Sequence, residues 1–297
     1  MKAYIKEKMD RLIIDTFIND DIQTIVLEFV HDQTISRDLF FGELTILHYE
    51  MFNGKNIDIY SAAAAVEILI LAADILDDLQ DIDNHSAPWQ KYESSIVLNI
   101  TTGLLLLSKK ILDDLNCSNR NLLDNIYYST IFQAITGQHM DLHNSINSEK
   151  QYLALIEKKS GSLTALACLV GAVLANSSAL EEVRSYSKKI GMIAQINNDI
   201  KSIYNFDKKS DIFLKKKTLP ILYMLSLRDN IVSEYYTSKK TYQELLMIKE
   251  EVIKQMCDRG AFHYASVFIE LNKQEALAII RSLNISNFYE KKLELYT

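Results

Sequence analysis

Glycine and proline are scarce in this chain, with eight and two among 297 residues. Both counts fall well under the average shares of about 7% and 5%. Sandwiches, barrels and doubly wound sheets turn often, and turns draw on those two residues. Their scarcity excludes such folds, along with collagen-like and proline-rich chains. Cysteine numbers only three (Cys117, Cys168 and Cys257), widely spaced and odd in count. That excludes a disulfide-stapled scaffold and fits a reducing compartment. Positive charge is also short: 32 Lys and Arg against 39 Asp and Glu leave a net charge of −7, with no basic tail or arginine stripe. This argues against nucleic acid, whose binding is dominated by phosphate neutralisation. The longest apolar run, Leu163 to Ala175, is interrupted by Thr164 and is too short to span a bilayer. No signal-type stretch opens the chain. The expectation is a soluble, cytoplasmic protein without a membrane span.

What is abundant is Leu, Ile, Ala, Lys and Glu, within a 48% hydrophobic chain. Such residues favour helix, and the chain is long enough to bury a large core. Apolar residues recur at helical spacing from end to end. The pattern predicts an all-α protein with helices near 5–19, 21–31, 41–53, 58–82, 93–115, 120–144, 150–175, 179–203, 218–228, 230–236, 241–257 and 260–296 with breaks. Pro88 falls in a polar loop after a long helix, and Thr218 before Pro220 suits an N-cap with proline in the first turn. No repeat or linker marks a boundary, so residues 1–297 read as one helical domain.

One helix stands out. Its apolar stretch from Ala62 ends in Asp74, Asp77, Asp78 and Asp81. At about 100° per residue these carboxylates share roughly a quarter-turn arc. Crowded like charges cost stability unless a cation neutralises them, and acids at a helix C-terminus also oppose the dipole. A solvated helix end would not need them aligned below so apolar a stretch. Their spacing suits Mg²⁺, which takes one or two protein oxygens and completes its shell with water and phosphate. Asp113-Asp114 serves as a control, since it lacks a third acid and reads as a polar helix end.

Gln195, Asn198, Asp199 and Ser202 repeat the spacing of the four aspartates. Only Asp199 is ionised, so this second face is a weaker cation site. Two such faces across a bundle interior could hold a metal-bridged diphosphate. Gly137-Gln138 with Asp141, then Lys158-Lys159-Ser160-Gly161, then Asp211 through Lys215-Lys216-Lys217 to Pro220 complete the set. A lysine run is either a solvated surface or, just before a helix N-terminus with its free N–H groups, an anion site.

In their order these segments resemble the trans-isoprenyl diphosphate synthase superfamily. Ala63 to Asp81 matches its Ala-Ala-Ala-Val-Glu, nine residues, Asp-Asp-x-x-Asp pattern, and the resemblance covers about residues 40 to 225. It implies an isoprenoid-synthase-type helical bundle around a deep central cavity, a homodimer, and carboxylate clusters that bind Mg²⁺ and an allylic diphosphate. Asp77, Asp78 and Asp81 then become catalytic metal ligands, joined by Asn198, Asp199 and Ser202. Gln138, Asp141, Lys159, Gln195, Lys216 and Lys217 become substrate contacts. Ala72 and Ala73, just before the first motif, become part of the cavity floor, and their small size favours a farnesyl over a geranyl tail.

Two departures are informative. Chain-lengthening synthases hold isopentenyl diphosphate with a Gly-Lys-x-x-Arg-Pro stretch and a later arginine pair. Here the first region reads Arg37-Asp-Leu-Phe-Phe-Gly42-Glu43, and Ser86-Ala87 stands where the arginines would be. A second diphosphate would find little to neutralise it. Ile46-Leu-His-Tyr49, the run from Asp77 to His85, and Lys159-Ser-Gly-Ser-Leu also look like the competence-pheromone isoprenyltransferases, the ComQ family. That likeness implies transfer of a farnesyl or geranyl group to a tryptophan of a pheromone precursor peptide in quorum sensing. Rival readings are a short-chain prenyl diphosphate synthase, a terpene cyclase and a regulatory subunit of a synthase.

Overall fold

With apolar residues at three- and four-residue intervals and few breakers, the chain is helical almost throughout. The computed structural model describes residues 1–36, 38–55, 57–81, 86–204 and 211–297, apart from the side chain of Ser36. Arg37, Ile82, Asp83, Asn84 and His85, which entered the sequence argument, lie outside the described residues. The helices are α1 (Lys2–Thr16), α2 (Asp20–Ser36), α3 (Phe40–Met51), α4 (Ile59–Asp81), α5 (Ser94–Asp114), α6 (Arg120–Leu142), α7 (Glu149–Ile156), α8 (Ser162–Leu174), α9 (Leu180–Tyr204), α10 (Leu219–Ser226), α11 (Ile231–Tyr236), α12 (Tyr242–Met247), α13 (Lys249–Asp258), α14 (Ala261–Ser282) and α15 (Asn287–Glu294). A 3₁₀ turn, Pro88–Lys91, precedes α5, and a π-helical turn, Glu157–Gly161, joins α7 to α8. There is no strand among the described residues. Thr218 does stand at the N-cap of α10, but its side chain caps nothing, and its Oγ1 is buried without a partner.

The chain divides into two compact units, each assembled from separate segments. One comprises residues 1–132, 163–184 and 283–292; the other comprises 133–162, 185–282 and 293–297. Because each unit gathers distant stretches, no composition shift along the sequence marks the division.

In the first unit α4 is the core, packed by α1, α3 and α5. Every residue from Ala62 to Ala72 is buried. A helix apolar all round belongs inside a protein or a bilayer, and both α4 and α5 are long and apolar enough to cross a membrane. The sequence expectation of no such helix rested on unbroken apolar runs and overlooked these two, whose few polar residues interrupt the run without lowering the average. For α4, burial within the unit accounts for the composition. Nearby, α8 meets α3 so closely that a Cβ on Gly171 would lie 2.1 Å from the Thr45 carbonyl oxygen. Only glycine allows that approach. Thr45 Oγ1 donates across the contact to the Ala167 carbonyl at 3.0 Å. His48, fully buried, donates from Nδ1 to the Leu44 carbonyl at 2.7 Å, and burial pulls its pKa down to about 4.

The buried α4 also encloses a carboxyl. Glu67, 1% exposed, accepts from the Gly42 N–H at 2.5 Å and from Gln33 Nε2 at 3.3 Å. Burial pushes its pKa up to about 8, and the charge of Asp74 adds to the rise. The folded chain therefore keeps a proton that the unfolded chain gives up from about pH 4.5 onwards. Stability is fully present below that pH and falls as pH climbs towards 8, by about 1.4 kcal/mol per pH unit. Glu67→Gln keeps the acceptor for Gly42 and removes the titration. The variant should gain on the wild type between pH 5 and pH 8 in urea denaturation; parallel pH curves for the two would refute the assignment.

Candidate functional site

In the first unit, α4 carries the acidic line to its C-terminal end. Asp74, Asp77 and Asp81 are half-buried there, while Asp78 is buried. Asp77 and Asp81 are one turn apart and so share a face. The Oδ2 of Asp78 accepts a 3.0 Å hydrogen bond from the indole Nε1 of Trp89. One turn and more before the acids, Ala72 is fully buried and Ala73 half-buried.

In the second unit, Asp141 on α6 binds two lysines through a single oxygen. Lys159 Nζ approaches Oδ2 at 2.8 Å and Lys216 Nζ at 3.1 Å. Burial would raise this carboxyl, but the two ammonium charges outweigh it and hold the pKa below the ordinary value. Lys159 and Ser160 sit on the π-helical turn, a distortion that often marks functional sites. α6 fits against that turn only because residue 137 is glycine, since a Cβ there would lie 2.3 Å from the Lys159 backbone nitrogen. Gln138 follows it, half-buried.

A hydrogen-bonded chain leads from the π turn to the second acid. Ser160 Oγ donates to Gln195 Oε1 at 2.5 Å, and Gln195 Nε2 donates to Asp199 Oδ1 at 2.7 Å. The Tyr152 hydroxyl donates to Asp199 Oδ2 at 2.5 Å. Burial pushes Asp199 up to about 7, and the charge of Asp211 pushes the same way against both hydrogen bonds. Asp211 is itself raised, mainly by burial. Its backbone N–H donates to Ser202 Oγ at 3.2 Å.

The structure therefore joins Gln195, Asp199 and, through Asp211, Ser202. Asn198, which shares their spacing, is exposed and makes no hydrogen bond with them among those described. Lys217 also turns away, donating to Asn147. The sequence argument overlooked Trp89, Tyr152 and the pairing of Asp211 with Asp199. Asp211 was visible at the head of its lysine run, and Trp89 as the chain's one tryptophan; nothing distinguished Tyr152 among sixteen tyrosines.

All the acids here offer hard oxygen donors, which suit Mg²⁺ or Ca²⁺ rather than zinc. Among the described residues no three His, Cys, Asp or Glu side chains converge as a ready-made metal centre. A cation that needs only one or two carboxylates still fits, and burial holds Asp199 and Asp211 above the ordinary carboxylate range. The Gly137 contact yields a direct test. Gly137→Ala should destabilise the protein by roughly 2–4 kcal/mol, since overpacking against backbone has no flexible side chain to absorb it. Stability within about 0.5 kcal/mol of wild type would refute the close approach.

The polyprenyl synthetase profile matches residues 41–256. The tryptophan prenyltransferase ComQ of Bacillus subtilis strain 168 is 35% identical over 96% of this chain and 94% of its own length. Among solved structures, the geranylgeranyl pyrophosphate synthetase of Geoglobus acetivorans superposes with a TM-score of 0.82 at 21% identity, over 99% of this chain and 94% of that one. A Caulobacter crescentus polyprenyl synthase complexed with calcium and isoprenyl diphosphate gives 0.81 at 20%, over 97% and 91%. With its all-α fold and its ordered acid and lysine segments, the chain is a prenyltransferase that belongs to the polyprenyl synthetase family, in its ComQ-type branch.

Proposed function

We propose that this chain transfers a farnesyl group, or less readily a geranyl group, from its diphosphate to a tryptophan of a pheromone precursor peptide, with Mg²⁺. The observation that carries the reading is a buried Asp199 held by Tyr152 and Gln195 with a half-buried Asp211, both raised chiefly by burial, beside an Asp141 that holds two lysines ready. The name of the Bacillus subtilis relative supports the tryptophan acceptor. The ligands of the Caulobacter synthase support a divalent cation with an isoprenyl diphosphate.

Asp77 and Asp81 in the first unit, and Asp199 and Asp211 in the second, are the oxygen donors that would hold Mg²⁺. When bound, the ion supplies Lewis-acid neutralisation of the diphosphate. Lys159 and Lys216 neutralise the charge that develops on the same leaving group as the allylic C–O bond breaks. The N-terminus of α10, directly after Lys215-Lys216-Lys217, adds backbone N–H donors. The indole then bonds to the allylic carbon and loses its proton to the released diphosphate. Ser86 and Ala87 in place of a basic pair leave isopentenyl diphosphate unneutralised, so elongation is disfavoured. A cytoplasmic homodimer fits this reading: Ile96, Leu98 and Leu106 of α5 and Tyr128 and Phe132 of α6 are exposed, as expected of faces covered by a second copy.

The deciding assay gives the purified protein farnesyl diphosphate and Mg²⁺ with either a tryptophan-containing precursor peptide or isopentenyl diphosphate. Prenylated peptide is expected; longer prenyl diphosphates in its place would establish a synthase. Asp77→Ala and Asp81→Ala should each cut peptide prenylation by orders of magnitude with helicity intact, whereas Asn198→Ala should do little. Near-normal turnover of Asp81→Ala at limiting Mg²⁺ would remove it from the metal site. Ala73, half-exposed where Ala72 is closed off, is the better candidate to meet the prenyl tail. Ala73→Phe should shift preference towards the geranyl donor, and an unchanged preference in an active variant would leave the farnesyl reading unsupported.

A further inference from the structure

The three aspartates of the first motif are not in equivalent settings. Asp77 and Asp81 are half-exposed, but Asp78 is buried and engaged by Trp89. A neutral indole N–H is an uncommon partner for a buried carboxylate; Arg or Lys would bring charge as well as direction. The indole brings direction alone. It takes one oxygen of Asp78 and leaves the net charge of the acidic face unchanged.

Everything around Trp89 serves to keep its ring still. Pro88, immediately before it, opens the 3₁₀ turn, and its fixed φ removes backbone freedom. The Trp89 ring meets Phe29 of α2 edge-to-face, with centroids 5.7 Å apart and planes at 81°. Tyr92 meets the same Phe29 at 5.8 Å and donates from its hydroxyl to Glu28 at 2.7 Å. Lys91 also binds Glu28. Two adjacent residues of α2 therefore hold Trp89 and the residues that follow it, Lys91 and Tyr92. The turn presents one donor, at a fixed place, to one acid of the motif.

Resting on the proposed role of the motif in binding a metal–diphosphate pair, we propose that Trp89 is a positioning residue that orients the Asp78 carboxylate and thereby sets the geometry of the neighbouring acids for the cation. A hydrogen bond to a charged group holds a rotamer far more firmly than packing alone. Sites of this kind lose function when a supporting group lets the ligand drift by about 1 Å. Because this is the chain's sole tryptophan, its emission reports on Asp78 directly, without contribution from any other indole.

Binding of Mg²⁺ together with inorganic pyrophosphate, measured by calorimetry, tests the idea apart from turnover. Trp89→Phe keeps the ring against Phe29 and deletes the N–H. It should weaken binding about tenfold in the wild-type background and less than twofold in an Asp78→Ala background, since a residue acting through Asp78 has nothing left to orient there. Equal losses in both backgrounds, or a loss below twofold in the first, would overturn the proposal. Should Trp89→Phe fail to fold, wild-type emission decides. A change on adding Mg²⁺ and pyrophosphate, with the midpoint seen in calorimetry, supports the role, and invariant emission overturns it. Wild-type protein that neither binds the pair nor prenylates a peptide defeats the proposed function itself. Wild-type binding with an indifferent Trp89→Phe defeats only this inference.

Discussion

A carboxylate taken out of water has to be neutralised by something, and the helices here are arranged around four different answers. Glu67 keeps its proton, which is why burial in the middle of α4 is tolerated at all. Asp141 has two ammonium groups on a single oxygen, a full compensation that leaves the acid ionised. Asp78 has a directional but uncharged indole. Asp199 and Asp211 have hydroxyl and amide partners that fall short, and both remain biased towards holding protons. The first two are complete within the protein. The last is satisfied by protons rather than by a counter-charge within the protein, and in the proposed reading a cation would take their place.

That distinction explains why acids of similar appearance in the sequence have different weights. Asp113 and Asp114 are paired four residues away with Lys109 and Lys110 on α5, the ordinary solution for a solvated helix end. Asp77 and Asp81 have no such lysine four residues earlier: Ala73 and Asp77 occupy those positions. A search for crowded carboxylates without a helical cation partner would separate the two pairs from the sequence alone, a signal that stands beside the third acid on which the reading of the first motif rested.

The helical class was legible because scarcity of glycine and proline is a property of the whole chain. Boundaries were less so where no breaker residue announces them. The stretch read as one helix over 150–175 contains the π-helical turn, and the one read over 241–257 is broken at Ile248 between α12 and α13. The second acidic face was half legible. Spacing grouped Gln195 with Asp199, which are hydrogen-bonded, and with Asn198, which is exposed. The partners of the acids were the least legible part. Trp89 and Tyr152 reach Asp78 and Asp199 from eleven and forty-seven residues away, and such contacts follow from how helices pack rather than from any local pattern. The division into two units was invisible for a related reason, since neither is a continuous stretch of chain.

The π-helical turn at Glu157–Gly161 makes residue count matter in an unusual way. An α-helix can lose a residue from a loop at its end with little consequence, because its faces keep their register. Here the widened turn accommodates extra chain within a continuous helical path. A one-residue deletion inside it would let the helix close up into uniform winding, with the flanking turns still in register but without the widened turn that places Lys159 and Ser160. Lys159 would then leave Asp141, Ser160 would leave Gln195, and the space that Gly137 keeps open would face a different side chain. Tolerance to insertion and deletion, ordinarily a property of surface loops, is therefore at its lowest in the middle of this helix, where the sequence itself gives no sign of a break.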